Sequence, residues 1–389
     1  MNPESWPDDL GPVLCVVGAR PNFMKIAPIL RAFAAHHPAI PTILVHTGQH
    51  YDKEMSEHLF ADLRLPHPDI NLEVGSGTHA AQTAEVMRRF EPVLDSYQPS
   101  CVLVVGDVNS TLACTLVGVK KGVPVVHVEA GLRSHDRSMP EEINRVLTDQ
   151  IADRLYTTER SALDNLLREG IAEERVRFVG NVMIDSLLFN REFAHAPAKT
   201  LSDAGVDTTL LKDPRAYAVA TLHRPSNVDQ VDTLHPLLAV LREVSEKLPL
   251  IFVLHPRTRA HIERFGLHDW VASERIVLLP PQGYLEMLGL MSEAKLVLTD
   301  SGGLQEETTA LGIPCLTIRE NTERPITVES GTNTLVGTDR TAILGGVDEI
   351  VAGGGKRGRI PEFWDGRAAE RIAADLAHWL VTRHRQTRK

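Results

Sequence analysis

The sequence predicts an α/β protein made of two doubly wound, Rossmann-like domains that face each other across a cleft. Three observations support this fold class. Short apolar, β-rich runs alternate with amphipathic helical stretches, which indicates βαβ units and parallel sheets. The alternation pauses over residues 193–214 and then restarts. A chain of 389 residues is also longer than one hydrophobic core usually serves.

The strands can be placed in chain order by their β-branched and aliphatic residues. Five are predicted in the first half, at Val13–Val17, Thr42–His46, Cys101–Val105, 123–128 and Arg154–Thr157. Helical spacing follows them, as at 23–35 and 78–97. Residues 193–214 are predicted to link the domains, and five more strands are predicted at 217–221, 250–254, Ile276–Leu279, Leu296–Thr299 and 313–318. We therefore expect a first domain over residues 1–190, a second over 191–363, and a C-terminal helix over 364–389 that packs back on the first.

Composition excludes several classes of protein. The formal charge is 41 minus 51, or -10, and no basic block precedes the C-terminal RHRQTRK, so nucleic acid is not an expected partner. Apolar runs are too short to span a bilayer and the acidic start does not resemble a signal peptide, so a cytoplasmic protein is expected. The four cysteines lie in or beside apolar runs without CxxC spacing, which favours buried, reduced thiols over metal ligands or disulfides.

Charged residues are concentrated where predicted strands end. Residues 127–145, HVEAGLRSHDRSMPEEINR, hold three arginines and three glutamates directly behind an apolar run. Parallel sheets exclude charge from their strands and bind ligands at the carboxyl ends. Asp107, Glu129 and Glu141 are therefore candidate acid/base carboxylates, with Arg133, Arg137 and Arg145 available to offset their repulsion. The alternative is structural: a solvated loop, Asp107 as a helix cap, and Glu141 or Glu142 as a helix-start residue.

Other loops favour an anion. Arg20 and Lys25 flank a helix start after the first strand, although neither a dinucleotide fingerprint nor a Walker loop is present there. In the second half, a Ser301-Gly302-Gly303 turn enters a helix whose backbone N–H groups can bind a diphosphate, and Glu307 could accept hydrogen bonds from ribose hydroxyls. His223 and the fixed cation Arg324 also follow strands. Together these loops predict a nucleoside-diphosphate compound as the ligand.

Taken together, these strand-end motifs resemble those of a known family, the non-hydrolysing UDP-N-acetylglucosamine 2-epimerases. Members of that family have two domains in the glycosyltransferase-B architecture. The resemblance runs in order from Gly18 to about Gly337, over the motifs GARPNFMKIAP, HTGQH, GDVNST, HVEAGLRS, MPEEINR, TLHRPSNVD, LTDSGGLQEE and NTERPITVESGTN. Each motif alone is a weak signal, whereas the ordered set is highly specific.

The resemblance implies a cofactor-free, metal-free inversion at C2 of UDP-N-acetylglucosamine to give UDP-N-acetylmannosamine, a precursor of surface polysaccharide. UDP leaves by anti elimination through a 2-acetamidoglucal and then adds back. By position, Asp107, Glu129 and Glu141 would handle protons and His223 would lie near the leaving diphosphate. The implied nucleotide-binding positions are Arg20, Lys25, Gln282, Ser301, Gly302, Gly303, Glu307 and Arg324. Those implied for a possible allosteric site are Gln49, His50, Arg224 and His255.

Several alternatives stay open on sequence grounds. A hydrolysing relative would release N-acetylmannosamine and UDP, and another would epimerise a modified UDP-sugar such as a diacetamido uronic acid. A glycosyltransferase would need an acceptor, and a non-catalytic sugar-nucleotide sensor would bind without turnover. The resemblance further implies a homodimer, and the short apolar runs make a membrane an unexpected partner.

Overall fold

The computed structural model describes residues 6–48, 60, 62–208 and 215–388, without the side chains of Arg20 and Thr387. The chain divides into two compact units. The first contains Met1–Phe189 and Glu362–Lys389, and the second contains Asn190–Pro361. The chain thus passes from one unit to the other twice. Element labels below number the described strands and helices in chain order.

The first unit contains a parallel sheet of seven described strands in the order β3-β2-β1-β4-β5-β6-β7. The strands are β1 (Val13–Val17), β2 (Thr42–His46), β3 (Ile70–Asn71), β4 (Cys101–Val105), β5 (Val125–Ala130), β6 (Arg154–Thr157) and β7 (Val176–Phe178). Its helices are α1 (Arg20–Ala35), α2 (His79–Tyr97), α3 (Asn109–Lys120), α4 (Pro140–Ile151), α5 (Arg160–Arg168), α6 (Val182–Asn190) and the C-terminal α16 (Ala368–Thr387). A 3-10 turn covers Glu173–Arg175.

The second unit repeats this plan with six described strands in the order β10-β9-β8-β11-β12-β13, again all parallel. They are β8 (Ala218–Thr221), β9 (Leu250–Val253), β10 (Ile276–Leu279), β11 (Leu296–Thr299), β12 (Cys315–Thr317) and β13 (Asn333–Leu335). The helices are α7 (Pro197–Asp203), α8 (Pro225–Val228), α9 (Val231–Lys247), α10 (Pro256–Phe265), α11 (His268–Val271), α12 (Tyr284–Ser292), α13 (Gly302–Leu311), α14 (Pro325–Glu329) and α15 (Arg340–Val351), after a 3-10 turn at Arg191–Phe193.

Strand residues alternate between two apolar cores, one on each face of the second sheet. Ala218 and Ala220 of β8 pack with Leu237 of α9, whereas Val219 packs on the opposite face with Leu201 of α7. Because successive strand side chains point to opposite faces, helices on both faces bury most of the strand residues. This arrangement explains why the strands are continuous apolar runs, and it confirms the prediction of two parallel α/β sheets.

The C-terminal helix α16 packs against α1 within the first unit. The carboxylate of Asp185 on α6 accepts hydrogen bonds from the backbone N–H groups of Ala368 and Ala369, at 3.1 and 2.7 Å. Trp364, just before this helix, donates its indole N–H to the carbonyl of Thr158. Buried contacts thus connect the end of the chain to the first sheet.

The structure also departs from several sequence-based expectations. Strands β3, β7 and β13 were not predicted, and β5 begins and ends two residues later than expected. The segment predicted as a linker contains α7, whose Leu201 lies in a core of the second unit.

All four cysteines are buried and free, as predicted. Within the described ranges, no helix is long and apolar enough to cross a membrane.

Candidate active site

Both sheets have a topological switch point, the place where strand order reverses and open α/β folds bind ligands. In the first sheet, β1 lies between β2 and β4, so the loops after β1 and β4 diverge there. These loops carry Gly18–Lys25 and Gly106-Asp107. In the second sheet, β8 lies between β9 and β11, and the loops after β8 and β11 carry His223 and Asp300-Ser301. The fold thus places predicted site residues at both switch points.

In the first unit, Lys25 and Glu129 form a buried ion pair with Nζ and Oε1 2.6 Å apart. Their side chains are only 5% and 2% exposed. Lys25 lies on the second turn of α1 and Glu129 near the end of β5. The lysine that the resemblance places among the nucleotide-binding residues therefore contacts a candidate acid/base carboxylate directly.

The backbone at Glu129 is unusual. Its φ is +73°, in the left-handed region that residues with a side chain rarely adopt, and the pairing of β5 with β6 shifts register between Val128 and Ala130. Gly106 likewise has a φ of +67°, and a Cβ there would lie 2.8 Å from Lys25 Nζ. The lysine ammonium therefore lies beside the end of β4 as well as against Glu129. Backbone strain of this kind commonly marks functional sites.

Asp107 follows Gly106 and is partly exposed. The Oδ2 atom of its carboxylate lies 3.6 Å from Nε of the buried Arg145, and the amide of Asn144 donates to the Asp107 carbonyl at 2.9 Å. Both partners lie on α4, so this helix supports the loop after β4. Of the three arginines considered as counter-charges, Arg145 pairs with Asp107, whereas Arg133 pairs with Asp149 and Glu169.

Glu141 and Glu142 both lie in the first turn of α4, yet their environments differ. Glu142 is buried, and its carboxylate accepts hydrogen bonds from the backbone N–H groups of Ser134 and His135 at 2.9 and 3.0 Å. It therefore anchors the loop before α4, which is more than the helix-start role considered from sequence. Glu141 is only partly buried, and its acid/base role stays a prediction.

In the second unit, His223 is oriented by a buried carboxylate. Its Nδ1 lies 2.7 Å from Oδ1 of Asp300. The other carboxylate oxygen of Asp300, Oδ2, accepts hydrogen bonds from the backbone N–H groups of His223 and Arg224. Burial alone raises the pKa of Asp300, but the hydrogen bond and charge of His223 outweigh burial and hold that pKa below its ordinary value. The ring is thus held through Nδ1, and Nε2 is the nitrogen that can meet a ligand.

Arg324 belongs to a buried network of charges. Its Nε lies 2.9 Å from Glu306, and its NH1 contacts Glu323. Burial raises the pKa of Glu323, but Arg324 and Arg319 lower it well below its ordinary value. Gly302 packs against this pair, since a Cβ there would lie 2.6 Å from Arg324 NH1 and 2.7 Å from Glu323 Oε1. The glycine thus lets the turn at the start of α13 approach the network.

The remaining predicted nucleotide positions surround the same end of the second sheet. The Ser301 backbone N–H donates to Thr299 Oγ1 at 3.0 Å, and Gly303 lies in the first turn of α13. Gln282 donates to the carbonyl of Pro280 at 2.8 Å in the loop after β10. Glu307 is buried beside Tyr284, a residue that sequence reasoning did not select. Burial raises the pKa of Tyr284 well above its ordinary value, and Glu307 adds to that effect.

Two of the four possible allosteric residues, Gln49 and His50, lie outside the described residues, as does the side chain of Arg20. The other two lie beside His223. The His255 and His223 rings are 5.5 Å apart, and Arg224 NH2 is 3.7 Å from Glu323. Their allosteric role stays a prediction.

Sequence reasoning missed two residues that position the loops. Asn22 accepts from the backbone N–H of Ala19 at 3.0 Å and donates to the Val105 carbonyl at 2.9 Å, so it joins the ends of β1 and β4. Asp300 holds His223. The available signal was the same for both, a single Asn or Asp within four residues of a Gly at a strand end. Among the described side chains, no group of three or more His, Cys, Asp or Glu residues could hold a metal ion.

Known proteins share this sequence and fold over nearly the whole chain. The family model for UDP-N-acetylglucosamine 2-epimerase matches residues 33–377. A UDP-N-acetylglucosamine 2-epimerase of Methanocaldococcus jannaschii is 42% identical over 366 residues, which are 93% of this chain and 98% of that protein. A UDP-2,3-diacetamido-2,3-dideoxy-D-glucuronate 2-epimerase of Pseudomonas aeruginosa is also 42% identical, over 85% of this chain and 90% of that protein.

A solved structure gives the same result for the fold. The crystal structure of the Methanocaldococcus jannaschii UDP-GlcNAc 2-epimerase, in complex with UDP-GlcNAc and UDP, aligns with a TM-score of 0.84 at 41% identity. The alignment covers 94% of this chain and 99% of the crystallised one. With the matched family model and these relatives, the chain belongs to the UDP-N-acetylglucosamine 2-epimerase family.

Proposed function

We propose that this chain interconverts UDP-N-acetylglucosamine and UDP-N-acetylmannosamine by inverting C2 of the sugar. The observation that carries the proposal is the buried Lys25–Glu129 pair beside Gly106-Asp107 at the first switch point. A protein that only bound a sugar nucleotide would gain nothing from carboxylates at such a position, because they repel a diphosphate.

The reaction has two halves with balanced atoms. One carboxylate of the set Asp107, Glu129 and Glu141 takes the C2 proton while the C1–O bond breaks, which releases UDP and leaves 2-acetamidoglucal. UDP oxygen then adds back to C1, and a second carboxylic acid delivers a proton to the opposite face of C2. The net change is the configuration at C2, so no oxidant, reductant or cofactor is consumed.

Cleavage of the C1–O bond places most of the developing charge on the diphosphate, since the C2 proton has no adjacent carbonyl to activate it. The second unit supplies groups suited to that charge. They are the start of α13 at Ser301-Gly302-Gly303, the ring of His223 held by Asp300, and Arg324. By the resemblance, Gln282 and Glu307 would contact the nucleoside, and Arg20 and Lys25 are further nucleotide-binding positions.

A second substrate has a specific observation in its favour. The Pseudomonas aeruginosa relative that acts on a diacetamido glucuronate is as similar in identity as the Methanocaldococcus jannaschii one. The same elimination chemistry would apply to that sugar, so only the contacts to C3 and C6 of the sugar would differ.

One assay separates these candidates. Purified protein is mixed in turn with UDP-N-acetylglucosamine and with UDP-2,3-diacetamido-2,3-dideoxyglucuronate, and the products are followed by proton NMR. We expect UDP-N-acetylmannosamine to accumulate to equilibrium from the first. Turnover of the second alone would reassign the substrate, free N-acetylmannosamine with UDP would indicate a hydrolase, and binding without any product would indicate a sensor.

The resemblance also leads us to propose a homodimer that works in the cytoplasm. Light scattering of the purified protein tests the first point, since a monomer mass would contradict it. Fractionation of the source cells tests the second.

A further inference from the structure

A second group of buried side chains, formed by His127, Arg133 and Asp149, lies around Glu129. The proposed reaction does not use it. Asp149 on α4 has one carboxylate oxygen 2.6 Å from His127 Nδ1. Its other oxygen accepts from the Gly131 backbone N–H at 3.0 Å and lies 2.7 Å from Arg133 NH2. One carboxylate thus binds the chain two residues before Glu129 and two residues after it.

The His127 ring extends this connection to the neighbouring strand. Its second nitrogen, Nε2, lies 2.8 Å from the carbonyl oxygen of Gly106, the residue before Asp107. A carbonyl and a carboxylate both accept hydrogen bonds, so both ring nitrogens must donate. His127 therefore joins the end of β4, which carries Asp107, to the carboxylate that holds both flanks of Glu129.

The charges of this group are balanced within it. Arg133 forms paired hydrogen bonds with Glu169 at 2.8 and 2.7 Å while it also contacts Asp149. Burial raises the pKa of Asp149, but His127 and Arg133 outweigh burial and lower it below its ordinary value. Asp149 is therefore ionised and can accept every hydrogen bond directed at it.

The fixed flanks matter because Glu129 has an unfavourable backbone conformation. With a φ of +73° it would relax toward the ordinary strand region if its neighbours were free. Relaxation would change the direction of its side chain and so disturb the 2.6 Å contact with Lys25. The hydrogen bonds of Asp149 prevent that change from both sides.

We propose that Asp149 and His127 are positioning residues that hold Glu129 and Asp107 in their reactive geometry. The inference rests on the proposed function in so far as those two carboxylates handle the C2 proton. Neither positioning residue needs to touch the substrate, because both are fully buried.

Asp149→Asn tests this proposal kinetically. The new amide can serve both flanks of Glu129 only if Nδ1 of His127 becomes an acceptor, so the hydrogen bonds to a charged carboxylate are replaced by weaker neutral ones. We expect kcat to fall about 100-fold, as for a misplacement of a reacting group by about 1 Å, while KM changes less than about threefold. His127→Asn, whose shorter side chain cannot reach both acceptors, should show the same separation of kcat from KM.

Asp153→Asn is the matched control. Asp153 accepts from the Val125 backbone N–H at 2.9 Å, at the opposite end of the same strand. We expect its kcat within about twofold of the parent, because no reacting group lies at that end. Equal losses of kcat in the Asp149, His127 and Asp153 variants, per folded protein, would overturn the positioning role.

A readout without substrate separates this proposal from the proposed function. The ¹³C resonance of the Glu129 carboxyl should shift in Asp149→Asn and His127→Asn and stay in place in Asp153→Asn. If the unaltered protein turns over no sugar nucleotide, the proposed function fails, and this resonance still decides whether Asp149 positions Glu129. If neither variant folds, ¹⁵N NMR of the unaltered protein decides: two N–H groups on His127 support the arrangement, and a single one overturns it.

Discussion

Lys25 Nζ and Glu129 Oε1 lie 2.6 Å apart in a buried ion pair that connects the first helix to the fifth strand. Each partner neutralises the other in a place that water does not reach. Removal of one partner therefore leaves the other as an uncompensated buried charge, which costs about 3–5 kcal/mol of stability.

This relationship gives a prediction with a built-in control. Lys25→Met and Glu129→Gln should each lower the melting temperature, whereas the double variant should recover most of the loss because no charge remains unpaired. Turnover should fall at least about 100-fold in all three, since Glu129 is absent or displaced. Melting temperatures that fall additively in the double variant would contradict the pairing, and near-normal turnover of Glu129→Gln would contradict the assigned role.

The contact between His223 and Asp300 gives a second prediction. In Asp300→Asn the amide can donate to Nδ1, which favours the wrong tautomer of the ring, so kcat should fall roughly 10- to 100-fold. In a His223→Gln background the same change should cost almost nothing more, because both substitutions disable one unit. Glu243→Gln, which loses an exposed pair with Arg340, is the control and should leave kcat unchanged. Full additivity in the double variant would argue for separate roles.

Gly302 allows a test of the turn that enters α13. In Gly302→Ala the added methyl would meet Arg324 NH1 and Glu323 Oε1 at 2.6 and 2.7 Å, so the turn must move away from the buried charges. We expect KM to rise about tenfold, equivalent to about 1.4 kcal/mol of lost ligand binding.

Gly345→Ala is the matched control, because nothing lies within 4 Å of a Cβ there. In that helix interior alanine should leave KM unchanged and add about 0.4–1 kcal/mol of stability. Equal KM values for the two variants would refute the steric argument.

Asp185 predicts a pH dependence of stability. Burial raises the pKa of this carboxyl from 3.8 to about 6, although the backbone N–H groups of Ala369 and Ala368 oppose the rise. The folded protein therefore holds the proton more tightly than the unfolded chain. This contribution is fully present below about pH 3.8 and is lost as pH rises through about 6.

The measurement compares melting temperatures of the parent and Asp185→Asn across this range. The parent-minus-variant difference should decrease from about pH 4 to about pH 7 and then stay level. A difference that increases with pH would show that the pKa of Asp185 is lowered by its helix-capping contacts instead of raised by burial.

Much of the fold follows from the sequence because parallel strands buried on both faces are continuous apolar runs. Strands β1, β2, β4, β6, β10 and β11 have the predicted bounds for this reason. The strand β3 has two residues and β13 has three, so neither gives a pattern long enough to detect. The end of β5 was misplaced because Glu129 continues the strand through a register shift, where a charged residue normally marks a loop.

The candidate site was predicted only in part, for a related reason. Carboxylates and turns at strand ends are visible in a single sequence, so Asp107, Glu129 and the Ser301 turn were selected. The pairing of charges depends on contacts between residues that lie far apart in the chain. Lys25 meets Glu129 across 104 positions, and Asp300 meets His223 across 77. Neither contact has a local signature, and Asp149 was not selected at all.

The measurement that tests the central claim most directly is the fate of hydrogen at C2. Purified enzyme is incubated with UDP-N-acetylglucosamine in deuterated water, and the epimerised product is examined by proton NMR and mass spectrometry. Proton removal and return by Asp107, Glu129 and Glu141 predicts UDP-N-acetylmannosamine that carries one deuterium at C2. Product that keeps its original hydrogen at C2 would contradict the account and require a mechanism in which that proton never leaves the sugar.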